Sequence, residues 1–64
     1  MKIRDLTKAK LLIVLESTPQ RYWPPRPARQ NKETLADALD RVQATIGHNE
    51  GERFRAALAT AFSR

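Results

Sequence analysis

The chain has 64 residues, a formal net charge of +5, no cysteine and one histidine. A chain this short is one small domain that buries only about 60% of its unfolded surface, and without cysteine it has neither a disulfide nor a thiolate-bound metal to compensate. These limits exclude a roomy catalytic pocket, and they leave compact helix packing, self-association or partner binding as the sources of stability.

The first predicted element is a helix near residues 6–17, capped by Asp5 or Thr7. Its middle, Leu11-Leu12-Ile13-Val14-Leu15, is apolar all round, whereas a surface helix normally keeps a polar face. We therefore expect Leu11, Leu12, Ile13, Val14 and Leu15 to be covered partly by other helices and partly by a second copy or an obligate partner. The alternative is a buried N-terminal strand. With no second strand candidate in the chain, that strand would have to pair in a homodimer, followed by a helical hairpin. Five consecutive strong hydrophobes are too few for a membrane span or for the apolar core of a signal peptide. The expected location is cytoplasmic, with no membrane association.

Every proline, the only tryptophan and the only tyrosine fall between Pro19 and Pro27, in the order P-Q-R-Y-W-P-P-R-P. Prolines spaced so closely remove backbone donors and clash with a preceding turn, so the segment cannot be α-helix. It is expected to be an extended loop over residues 18–30. Tyr22 and Trp23 offer flat faces for stacking on bases, and Arg21, Arg26 and Arg29 offer phosphate contacts. The same two rings are also the largest side chains available to roof a small helical core. Arg21-x-x-Pro24-x-x-Pro27 resembles the ligands of SH3 domains, which bind polyproline II segments. Four prolines within nine positions generate such spacings readily.

A second helix is expected over 32–46, with Asn31 as N-cap and Glu33 favourably placed in the first turn. Leu35, Leu39, Val42 and Ile46 form its apolar stripe, and Gly47 suits a left-handed C-terminal cap. A third helix is expected over 50–62. Asn49 and Glu52 have the spacing of a capping box, and Phe54, Ala57, Leu58, Ala61 and Phe62 form the buried face. The predicted fold is all-α: a single domain of three helices, residues 1–64.

Charge is unevenly distributed. Residues 1–32 carry eight Lys/Arg against two acids, +6, and residues 33–64 carry four Arg against five acids, −1. Lys2, Arg4, Lys8 and Lys10 cluster at the start, with Arg4 and Lys8 one turn apart if both are helical. A cationic half of this kind suits a polyanion or an acidic protein surface. Glu33, Asp37 and Asp40 fall on the opposite side of the second helix from Leu35 and read as a solvated acidic face, with Asp37 and Arg41 spaced for an i, i+4 pair. His48 reads as a turn residue. No phosphate-cradling glycine loop, nucleophile elbow or zinc spacing is present.

The reading is a small, basic, non-catalytic binding protein with no cofactor, no metal and no small-molecule substrate. It contacts nucleic acid, or a complex that handles nucleic acid, through its cationic half and the Arg/Trp/Pro loop. The alternative is a protein-binding inhibitor or adaptor, of the general kind found among phage and mobile-element proteins, docking on an acidic protein surface.

Overall fold

A computed structural model describes residues 2–63, and these residues are helical without any strand. The strand-paired homodimer is thereby overturned for the described residues. Three α-helices carry the fold: α1, Lys8–Glu16; α2, Lys32–Thr45; and α3, Glu52–Phe62. Short 3₁₀ turns at Ile3–Asp5, Gln20–Tyr22 and Pro27–Arg29 complete it. The molecule is a slab of 28 × 27 × 16 Å, and its thin dimension leaves room for little more than one layer of helices about 10 Å across.

Helix α1 starts later than expected because Leu6 is extended and buried. Thr7 then caps the helix, its side chain accepting from the amide of Lys10 at 3.3 Å. This helix packs on both α2 and α3, and the Ile3–Asp5 turn packs on α2. The central position of α1 explains its unbroken apolar run. Leu11, Val14 and Leu15 are buried, Leu12 is half-buried, and only Ile13 is open, at 59% exposure. Cover for Leu11, Val14 and Leu15 therefore comes from the chain's own helices, the first half of the expected cover, and Ile13 is the residue of the run left for anything else.

Asn31 caps α2 by accepting from the Thr34 amide at 2.8 Å. Leu35, Ala36, Leu39 and Val42 form its buried stripe, and Phe54 and Leu58 are buried from α3. Fully burying one large apolar side chain is worth roughly 1.5–3 kcal/mol, and seven such residues are essentially inaccessible: Phe54, Leu11, Leu15, Leu35, Leu39, Val14 and Val42.

The connection between α2 and α3 departs from expectation. Helix α2 ends at Ile46 in the extended region, and no glycine has positive φ, so Gly47 does not form a left-handed cap. Asn49 does not cap α3 with its side chain. The chain instead turns through residues 47–51, with the Gly51 amide donating to Gly47 O at 2.8 Å and the Arg55 guanidinium donating to His48 O. Gly51 sits buried at the start of α3, where a Cβ would lie 2.9 Å from both Gly47 O and Ile46 Cγ2. Close approach of the two chain segments, more than helix propensity, explains glycine at this position.

Candidate binding surface

Residues 18–30 are not an extended arm. The segment folds as two successive 3₁₀ turns, closed by the Tyr22 amide on Pro19 O at 3.0 Å and the Arg29 amide on Arg26 O at 2.9 Å. Arg26 lies between them with φ 49° and ψ 62°, the one non-glycine residue with positive φ among those described. Gln30 Nε2 donates to Pro25 O at 2.5 Å and ties the end of the segment back on itself. This left-handed break, followed by a 3₁₀ turn, is incompatible with a continuous polyproline II helix, so the SH3-ligand resemblance is not realised in the folded chain.

The aromatic residues point inward. Trp23 and Tyr22 are half-buried and packed against the hydrophobic core. The indole Nε1 of Trp23 donates to Thr18 Oγ1 at 3.0 Å and lies 3.2 Å from Thr18 O. Thr18 is itself buried and donates through Oγ1 to Leu15 O at 2.6 Å, so the indole, Thr18 and the end of α1 form one connected unit. One face of Tyr22 is occupied by Arg21, whose guanidinium carbon stands 4.9 Å from the ring centroid, a cation–π distance. Arg21 also pairs with Glu50. Donation of the guanidinium to the Glu50 carboxylate, with hydrogen bonding to Tyr22 second, raises the Arg21 pKa above its ordinary value.

Among the sequence-derived basic residues, the structure separates those engaged internally from those left open. Arg4 is not on α1. It lies in the Ile3–Asp5 turn and reaches across to α2, pairing with Asp37 at 2.5 Å and standing 3.9 Å from Asp40. It therefore does not share a helical face with Lys8, and Asp37 engages Arg4 rather than forming the expected pair with Arg41. The acidic face of α2 thus acts as a clamp for the N-terminal turn. Lys2 is exposed, with its main-chain amide on Asp5 Oδ2 at 3.0 Å. Lys10 donates from Nζ to Ala61 O at 3.2 Å, a cation placed at the C-terminal end of α3, where the helix dipole favours it.

Lys8, Arg26, Arg29 and Lys32 make no ion pair with any described residue and are exposed, as are Lys2, Arg41 and Arg53. Two surface hollows show how the elements that carry the first four pack, and Lys32 lines one of the two. One is lined by Arg4, Lys32, Glu33 and Ala36, which puts the start of α2 beside the N-terminal turn. The other is lined by Leu12, Leu15, Glu16, Trp23, Pro27 and Ala28, which puts the second 3₁₀ turn against α1. Lys8 precedes Leu12 by one turn on the same α1 stripe, and Arg29 follows Ala28 directly. Lys32 thus lies beside the N-terminal turn with Glu33, while Arg26 and Arg29 belong to the turn that packs on α1 near Glu16, and Lys8 begins α1. Sequence reasoning missed Lys32, which reads locally as an ordinary first-turn helix residue. Its position next to two unpaired arginines was the available signal.

No protein-family model matches the chain, and neither a curated protein nor a solved structure matches it significantly. No helix of the described residues is long and apolar enough to cross a membrane.

Proposed function

We propose that this protein binds nucleic acid without catalysis, through phosphate contacts from the edge formed by Lys8, Arg26, Arg29 and Lys32. The observation that carries this reading is the contrast between these four cations and the paired Arg4 and Arg21; Lys2 shares their unpaired state. Arg4 and Arg21 are held by Asp37 and Glu50, whereas these four have no acidic partner among the described residues. Exposed, unpaired cations release condensed counterions when they meet phosphates, and that release supplies sequence-independent affinity. Trp23 and Tyr22 face the core, so stacking on bases contributes little, and the expected recognition is of backbone charge rather than base identity. Glu16 and Glu33 border the edge and keep the affinity modest. A cytoplasmic location belongs to the same proposal.

The test is an electrophoretic or anisotropy titration with random-sequence duplex DNA and RNA at several salt concentrations. With four phosphate contacts, log K against log salt should fall with a slope no steeper than about −4, since each contact contributes about −0.9. The triple variant Arg26→Ala/Arg29→Ala/Lys32→Ala should flatten the slope by about 2.7, the sum of three such terms. An unchanged slope in a folded triple variant would refute the assignment of this edge.

The second reading is a protein-binding adaptor or inhibitor. It draws on the hollow of about 160 Å³ beside the same cations, where Leu12, Trp23 and Pro27 present apolar surface. Apolar anchoring flanked by arginines suits an acidic protein partner. Absence of any shift with nucleic acid at low salt would favour this reading over the first.

A further inference from the structure

Ile13 is the one large hydrophobic side chain left exposed among the described residues, at 59%. It stands at the rim of a groove of about 300 Å³ between α1 and α3, lined by Lys10, Ile13, Ala57, Thr60 and Ala61. A knob and a hollow floored by small side chains therefore lie side by side in one patch. That is the arrangement an isologous two-fold contact requires, because the same surface must supply both halves of the fit.

The charges around Ile13 point the same way. Lys10 lies three residues before it and Glu16 three residues after, both on α1. A two-fold axis that sets two copies of α1 antiparallel through Ile13 brings Lys10 of each copy level with Glu16 of the other. At the usual helix spacing of 8–10 Å, long side chains bridge that gap readily. A parallel arrangement would instead set Lys10 against Lys10 and Glu16 against Glu16.

We infer that the α1–α3 groove is covered by a second copy of this chain, in an antiparallel two-fold dimer centred on Ile13 with two Lys10–Glu16 ion pairs at its rim. The patch is small, and each copy carries a net charge of +5, which opposes association. The dimer accordingly belongs to the weak class of interfaces below about 1,200 Å², and it forms reversibly with concentration. This contact does not depend on nucleic-acid binding and uses none of the four residues assigned to the cationic edge.

Sedimentation velocity from about 10 μM to about 1 mM covers the affinity range of such interfaces. The wild-type chain should pass from monomer to dimer across it. Ile13→Asp, with Ile13→Ser as a milder partner, should remain monomeric while keeping the wild-type circular dichroism spectrum, since the side chain is mostly exposed. Lys10→Glu alone and Glu16→Lys alone should each weaken the dimer, because each sets like charges face to face. The double exchange Lys10→Glu/Glu16→Lys keeps the net charge and should restore association. A wild-type chain that stays monomeric throughout would overturn the inference and leave the groove to a different protein. So would a dimer that survives Ile13→Asp. A dimer sensitive to Ile13 but not rescued by the charge exchange would overturn the antiparallel two-fold.

Discussion

Trp23 separates a core role from a recognition role, and the two make opposite predictions for the same variants. Trp23→Phe keeps an aromatic ring but removes the indole N–H that donates to Thr18. A hydrogen bond of this kind contributes about 1 kcal/mol net. For a domain of this size 1 kcal/mol corresponds to a fall of about 4–8 °C in melting temperature. Trp23→Ala removes the ring as well. Full truncation of a buried tryptophan costs about 3–5 kcal/mol, and a half-buried ring forfeits about half of that, so with the lost hydrogen bond the total is about 3 kcal/mol. A 64-residue chain has about 3–10 kcal/mol of stability in all, so the alanine variant should lose between about a third and nearly all of it. Thermal melts by circular dichroism measure both effects. Nucleic-acid binding by Trp23→Phe, measured well below its melting temperature, should equal that of the wild type. The reasoning fails if Trp23→Phe melts with the wild type yet binds roughly tenfold more weakly, a loss of about 1.4 kcal/mol.

Two further outcomes follow from close contacts. Gly51→Ala should destabilise by about 1–2 kcal/mol, the cost of overpacking, although glycine-to-alanine changes near helix starts are often stabilising; a melting temperature at or above wild type would show that the Ile46–Gly51 segment yields easily. Arg21→Ala should leave the salt dependence of nucleic-acid binding unchanged, because its guanidinium already faces Glu50 and Tyr22, and a flatter slope in a binding titration would return Arg21 to the contact surface.

The parts of the fold legible in the sequence are those governed by neighbours a few residues apart. The α2 stripe of Leu35, Leu39 and Val42, the Asn31 cap, and the Phe54–Leu58 face of α3 all follow from helical spacing, and the structure has each of them. The Leu11–Leu15 run resisted reading because its spacing is uniform. Whether such a run needs a partner depends on how many of the chain's own helices reach it, which is a tertiary fact, and here α2 and α3 both do. The proline segment resisted for a different reason. Prolines rule out α-helix but not 3₁₀ turns, which close over three residues, and nothing local signals that Arg26 adopts a left-handed backbone without being glycine.

The same distinction governs the candidate surface. A count of Lys and Arg over residues 1–32 treats all eight as equivalent, yet their partners lie far along the chain. Arg4 finds Asp37, thirty-three positions away, and Arg21 finds Glu50, twenty-nine positions away. The acids that appear in sequence as a separate, nearly neutral half are therefore folded against the most prominent cations of the basic half. Exposed pairs of this type add little stability, typically 0–1 kcal/mol, but they cancel charge at the place where a polyanion would otherwise meet it. What remains available in the basic half is set by subtraction: Lys2, Lys8, Arg26, Arg29 and Lys32, with Lys10 turned to the Ala61 carbonyl. Binding strength in such a protein should track that remainder rather than the net charge. A substitution of Glu50 that frees Arg21 is then as direct a way to strengthen polyanion binding as adding a new lysine.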